Sequence, residues 1–120
     1  RNDPREILIS KENKLLKDLA PGSLVGTSSF RREFQIKKIR EDLNCKLIRG
    51  NIDTRIQKVE EKKLDAIILA AAGIKSLNLE NKISLTFEAN EMLPAVGQGI
   101  IAVQCRKDNK LIFDKTINVI

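Results

Sequence analysis

Three short apolar runs separated by two stretches of helical period limit most strongly what this chain can become. Leu24-Val25-Gly26-Thr27 reads as a strand and residues 29–42 as a helix; Lys46-Leu47-Ile48-Arg49 is a second strand and residues 53–63 a second helix. Ala66-Ile67-Ile68-Leu69-Ala70 is a third strand, apolar throughout as a strand covered on both faces must be. Parallel neighbours need a crossover, usually a helix. The β-α-β-α-β order therefore predicts an α/β domain with a mostly parallel sheet and helices on both faces. In the second helix Ile52, Ile56 and Val59 make one stripe, Asn51 or Asp53 can cap it, and Lys62 and Lys63 suit its end. In the first, Ile36, Ile39 and Leu43 share a face while Phe30 and Phe34 point elsewhere. A short helix is expected over Lys14 to Leu19, stopped by Pro21-Gly22, and a short helical stretch after Ala71-Ala72-Gly73, to about Leu79. A strand around Ile83 to Phe87, a loop or hinge at residues 94–99, a strand at 100–103 and a helix at 111–120 complete the expectation.

Composition narrows the chemistry. At 120 residues and 42% hydrophobic, the chain suffices for one domain with a modest core. No apolar run approaches the roughly 18 residues of a membrane span, so no membrane partner is expected. The start, Arg1-Asn2-Asp3-Pro4, has no signal-peptide apolar region, which predicts a cytoplasmic protein, and the lack of an initial Met predicts a piece of a longer chain. There is no histidine, which argues against histidine acid–base catalysis and the common metal sites. Cys45 and Cys105 lack CxxC spacing and read as buried thiols of a reducing compartment. A net charge of +6 favours an anionic partner. Nucleic acid is not expected, because Trp and Tyr are absent and four Phe make no stacking platform. Gly97-Gln98-Gly99 is only part of a dinucleotide fingerprint, and neither a P-loop nor a GxSxG elbow occurs.

In an open parallel sheet, ligands gather at the carboxyl ends of the strands. The first strand delivers Thr27, Ser28, Ser29, Arg31 and Arg32 there; the second delivers Arg49 and Gly50, with Arg55 in the next helix's first turn; the third delivers Ala70-Ala71-Ala72-Gly73. Helix N-termini offer free N–H groups, hydroxyls add short donors, and a guanidinium matches a carboxylate with two parallel hydrogen bonds. Residues without bulk let a flat ligand approach the backbone. Arginine near a helix N-terminus opposes the helix dipole, and Arg31, Arg32 and Arg55 all break that rule. The pattern predicts an anion site in which the guanidiniums of residues 31, 32, 49 and 55 face one hollow. Arg40, later on the first helix, is expected to lie outside it and to tolerate lysine.

Four stretches, "VGTSSFRR", "RGNIDTR", "DAIILAAAGIKSL" and "MLPAVGQGIIAVQCR", resemble in order and spacing the central part of the porphobilinogen deaminase (hydroxymethylbilane synthase) family. The likeness covers essentially the whole chain. It implies a type II periplasmic-binding-protein-like domain. It also implies a transferase that joins porphobilinogen head to tail, with loss of ammonia, into hydroxymethylbilane for haem and related pigments. The implied cofactor is dipyrromethane, attached through a cysteine outside this chain. The implied partners are porphobilinogen, the growing polypyrrole and the parent protein's first and third domains. On this likeness residues 1–6 are a hinge strand from a first domain, 7–93 the central domain, and 94–120 a hinge plus a segment returning to the first domain. Thr27, Ser28 and Ser29 are implied as cofactor binders, and Arg31, Arg32, Arg49 and Arg55 as carboxylate clamps. Gly50 and Ala70 match positions where backbone meets the pyrroles, and Gln98 matches the hinge. The chain departs at Lys75-Ser76-Leu77, where many members read Lys-Arg-Leu. The family's catalytic aspartate would precede Arg1 and its cofactor-bearing cysteine would follow Ile120. The isolated chain is therefore expected to be inactive, with its 100–120 segment either disordered or pairing between copies. The competing expectation is a non-catalytic small-anion sensor of the same architecture.

Overall fold

The structure, a computed structural model, describes residues 2–100 and residue 102. Its elements run β1 (Glu6–Ser10), β2 (Leu24–Thr27), α1 (Phe30–Ile39), β3 (Asn44–Leu47), α2 (Ile52–Glu60), β4 (Ala66–Ala70), α3 (Ala71–Ser76) and β5 (Leu85–Thr86), with short 3-10 turns at Lys11–Asn13, Leu16–Asp18 and Glu80–Lys82. Among the described residues the strands form one sheet in the order β3-β2-β4-β1-β5. β2 pairs in parallel with β3 and with β4, as the alternating pattern predicts. β1 lies between β4 and β5, antiparallel to both. The sequence reading assigned no strand to Ile7–Ile9, yet this run sits deep in the sheet.

Strand alternation sends side chains into two cores. On one face Ile7, Ile9, Ile67 and Leu69 pack with Ile56 and Val59 of α2 and Ile74 of α3; on the other Leu8, Val25 and Ile68 pack with Ile36 of α1, Leu43, Phe87 and Met92. The sheet is thus covered on both faces. Gly26 faces the first core, where an added Cβ would stand 2.7 Å from Leu64 Cδ1 and 3.0 Å from Ile48 Cγ2. That close approach, rather than a turn, is why β2 carries glycine.

α1 is shorter than the pattern predicts. Arg40 closes it in extended conformation, donates its own N–H to the Ile36 carbonyl, and sends its guanidinium to the carbonyls of Leu16 (3.1 Å) and Leu19 (2.7 Å) and to both oxygens of Asp42. The helix consequently leaves Ile39 exposed, while Leu43 enters the core from the following turn. Phe30 and Phe34 stay 84% and 62% exposed, with the Lys38 ammonium 4.8 Å from the Phe34 ring centroid. In α2 the cap is Asn51, whose side chain accepts from the Thr54 N–H at 2.9 Å. Over the stretch expected to be a helix from Lys14 to Leu19, the turn at Leu16–Asp18 is 3-10. The expected helix at 111–120 lies outside the described residues, as does the strand at 100–103 apart from Ile100 and Ala102, which are in no strand. Cys105 is outside them too; Cys45 is a half-buried free thiol whose pKa burial pushes up.

Candidate functional site

The parallel strands β2 and β4 end on the same sheet margin, and antiparallel β1 begins there, Glu6 lying opposite Ala70. Thr27 closes β2, buried, and its hydroxyl accepts from the Ser29 N–H at 3.2 Å. Ser29 then caps α1, its side chain accepting from the Arg32 N–H at 3.2 Å. These two links place Arg31 and Arg32 in the first turn of α1, above the margin.

Both arginines meet Glu6, the one acidic residue at the head of an apolar strand. Glu6 is fully buried. Its Oε1 lies 3.1 Å from an Arg31 Nη, and its Oε2 lies 2.5 Å from Arg32 Nε. The second contact is short but misdirected: neither Glu6 Oε2 nor Arg32 Nε makes an aligned hydrogen bond. Arg31 spends its other Nη on the Leu93 carbonyl, and Arg32 donates an Nη to the Ile68 carbonyl at 3.3 Å. Burial pulls the Arg32 pKa below its ordinary value; Glu6 opposes that pull, and the charges of Arg31 and Arg55 add to it. Arg32 nevertheless stays a cation, since guanidinium is not deprotonated in proteins. Arg31 and Arg55 thus lie close enough to Arg32 for their charges to act on it.

Arg55 arrives from α2. Its Nε donates to the Gly50 carbonyl at 2.8 Å and one Nη donates to Ser28 Oγ at 3.2 Å, which ties the β3–α2 turn to the β2–α1 turn. Gly50 holds φ at +106°, a conformation that favours glycine, and so turns its carbonyl toward Arg55. Arg49 is exposed and makes no hydrogen bond or ion pair among the described residues. Arg31 and Arg32 are thus joined through Glu6, Arg55 reaches the same β2–α1 turn through Ser28, and Arg49 has no partner among the described residues.

The small residues after β4 divide their tasks. Ala71 is buried in the core, and Gly73 lets α3 approach α2, since a Cβ there would meet Ile52 Cδ1 at 2.9 Å. Ala70 and Ala72 remain half-buried. Packing accounts for half of a run that looked wholly like clearance for a ligand. Lys75 is drawn away to Asp3 at 2.8 Å, and Ser76 turns back to the Gly73 carbonyl. Hydrogen bonding from Arg5 above all, helped by Lys75, holds the Asp3 carboxyl far below the usual carboxylate range.

Gln98 joins this margin from the far end of the chain. Its amide donates to Glu6 Oε1 at 2.6 Å and to the Pro4 carbonyl at 2.7 Å, and the Asn2 N–H donates to the Gly99 carbonyl at 2.9 Å. The segments around residues 2–6 and 94–99 are thereby laced together. Glu6 is the residue that motif reasoning missed. The signal was available: an ionisable side chain opening the run Glu6-Ile7-Leu8-Ile9 demands a buried partner.

Residues 1–114 match the family described as porphobilinogen deaminase, dipyromethane cofactor binding domain. The chain belongs to the porphobilinogen deaminase family. It is 51% identical over 110 residues to the porphobilinogen deaminase of Clostridium acetobutylicum, covering 92% of this chain and 38% of that protein. It is 52% identical over 110 residues to the Syntrophomonas wolfei protein of that name (92% and 36%) and 46% identical over 117 residues to that of Clostridium beijerinckii (96% and 40%). The chain thus spans well under half the length of these porphobilinogen deaminases. Among solved structures it is similar to a Salmonella typhimurium periplasmic binding protein described as highly arginine-specific, with a TM-score of 0.57 and 16% identity over 92% of this chain and 50% of that one. That likeness fixes the periplasmic-binding-protein-like fold and nothing more. No helix among the described residues is long and apolar enough to cross a membrane.

Proposed function

We propose that this chain supplies the arginine-lined wall of the cleft in which a porphobilinogen deaminase joins porphobilinogen units into hydroxymethylbilane. The observation that carries the proposal is the linkage of Arg31, Arg32 and Arg55 at one sheet margin beside Thr27, Ser28 and Ser29. Each pyrrole of such a chain bears acetate and propionate arms, so successive carboxylates call for successive guanidinium forks. Arg32 and Arg55 each keep one Nη without a partner among the described residues, and exposed Arg49 keeps its whole fork. These groups suit a polycarboxylate.

The same residues fit the dipyrromethane that the family carries. The misdirected contact between Glu6 Oε2 and Arg32 Nε leaves donor capacity at a buried position, and Ala70 and Ala72 add little bulk beside it. Ser28 Oγ and the Arg32 and Arg55 guanidiniums would hold its carboxylates. When bound, dipyrromethane supplies the anchored pyrrole end from which the polymer grows. This chain's own part is to bind and orient: charge-assisted hydrogen bonds fix the carboxylate arms, and Gly50 and Ala70 let the rings approach the backbone. On this reading Gln98 and the residue 2–6 segment would form the junction with a first domain, and a third domain would bring the cysteine. The cytoplasm is the compartment that suits the free thiol of Cys45.

The experiment is to incubate the full-length protein with porphobilinogen, follow its consumption and weigh the intact protein. Consumption together with a covalent dipyrromethane mass is expected. Absence of both would overturn the proposal.

A further inference from the structure

We propose that Glu6 is a built-in carboxylate that sets how much uncompensated positive charge Arg31, Arg32 and Arg55 present, and so determines which anions the site accepts. It acts through the arginines and is a positioning residue. The inference rests on the reading that this margin binds anions, and adds a residue that reading does not use.

Three observations carry it. Glu6 is wholly buried yet ionisable, and among the described ion pairs it is the carboxylate that Arg31 and Arg32 share. A buried acid of this kind persists only when its surroundings compensate it, which here is the work of the two guanidiniums. Its place is also telling: opposite Ala70 in the sheet, it lies on the margin where a ligand carboxylate would arrive. Glu6 thus takes donors that an incoming carboxylate would otherwise use, occupying one Nη of Arg31 while the Leu93 carbonyl takes the other. Finally, its Oε2 has no aligned donor although Arg32 Nε is 2.5 Å away. Its Oε1 accepts aligned hydrogen bonds from Arg31 and Gln98, while Oε2 offsets the Arg32 charge through the short contact and leaves one Arg32 Nη for a ligand.

The consequence is selectivity. With Glu6 in place one of three positive charges is offset and the Arg31 fork is filled. A small inorganic anion then finds little to hold, whereas a ligand with several carboxylates can engage Arg32, Arg55 and Arg49 together. Without the Glu6 charge the site becomes a general anion trap.

The test is sulfate binding by calorimetry to the full-length protein and to its Glu6→Gln variant, with sulfate inhibition of porphobilinogen turnover as a second arm. Glu6→Gln should bind sulfate about tenfold more tightly, the effect of removing a unit charge on the order of 7 Å from the divalent anion at the dielectric of bulk water. The gain should vanish when Arg31 is also changed to Gln, which assigns it to this pair. A merely structural Glu6 would lower stability without raising anion affinity. Should Glu6→Gln lose its cooperative melt, Glu6→Asp keeps the charge but withdraws it by one methylene. It should bind sulfate about 1.5-fold more tightly than the unaltered protein, on the same distance argument. Sulfate affinity unchanged or weakened in the folded variant, or a gain that survives loss of Arg31, would overturn the proposal. Absence of porphobilinogen turnover in the unaltered protein would instead count against the proposed function and leave the sulfate comparison standing.

Discussion

Replacing arginine by lysine at positions 32, 40 and 49 separates a carboxylate fork from a structural anchor and from bulk charge. Lysine keeps the charge and loses the fork, so the three sites should respond in different observables. Arg32 is only 11% exposed in its side chain, contacts Glu6 at 2.5 Å and donates to the Ile68 carbonyl at 3.3 Å. An ammonium can keep the ion pair but not that pair, the carbonyl and a ligand oxygen at once. Losing the long carbonyl bond should cost about 1 kcal/mol of stability. Losing one hydrogen bond to a ligand carboxylate should cost about 1.5–3 kcal/mol, roughly a 10- to 150-fold weakening of porphobilinogen binding. Arg40 behaves in the opposite way. Its guanidinium satisfies the Leu16 and Leu19 carbonyls together, and lysine can serve one of them well. Arg40→Lys should therefore lose about 1–2 kcal/mol of stability and leave ligand affinity alone, contrary to the tolerance its sequence position implies. Arg49, exposed and without a described partner, should show the reverse: an unchanged unfolding midpoint and weaker binding. Urea unfolding and porphobilinogen KM in the full-length protein read the two observables separately. Equal loss of affinity at all three positions would refute the fork and leave bulk charge as the explanation.

Further outcomes follow from the packing and the charges. Gly26→Ala should cost about 1–3 kcal/mol by overpacking against Leu64 and Ile48, read as a lower urea midpoint; an unchanged midpoint would mean that the β2 core has slack. Gly99→Ala meets the Asn2 carbonyl oxygen at 2.5 Å with φ at +82°. It should release the 94–99 segment, seen as faster amide exchange at residue 2, and unaltered exchange there would count against the lacing. Asp65 accepts from the Leu24 N–H at 2.7 Å and pairs with Lys11, and these donors lower its pKa. Because the folded value lies below the unfolded one, its stabilisation is complete at neutral pH and fades as pH falls below about 4. The stability gap between the unaltered protein and Asp65→Asn should then close toward acid; a gap that widens on acidification would contradict the sign.

What sequence could show here was local. The strand at Ala66–Ala70, the helix stripe of Ile56 and Val59, and the hydroxyl-rich turn after β2 all declare themselves within a dozen residues, since period and capping are short-range effects. Long-range partners stayed hidden. Nothing near Arg40 announces the Leu16 and Leu19 carbonyls, and nothing near Gly73 announces Ile52. β1 escaped notice because its five residues carry the acid at one end and Ser10 at the other, leaving only three apolar residues between. Its place in the sheet comes from pairing with β4, sixty residues away, which no local pattern encodes.

The apparent fault in α1 shows why that distance matters. Arg31 and Arg32 crowd the positive end of a helix, an arrangement disfavoured by a few tenths of a kcal/mol up to about 1 kcal/mol for each charge. Within the helix only Glu33 answers them. The fuller answer is Glu6, which reaches both guanidiniums from another strand and is itself held by Gln98. A charge pattern that looks unstable along the chain is balanced across the sheet. The balance is partial, because one carboxylate faces two arginines. The remaining positive charge has no counterpart among the described ion pairs of this margin, which is the condition a site awaiting a polycarboxylate must meet. Were the margin a structural salt bridge alone, the acids and bases there would match in number, and Arg55 would find an acid in place of the Ser28 hydroxyl.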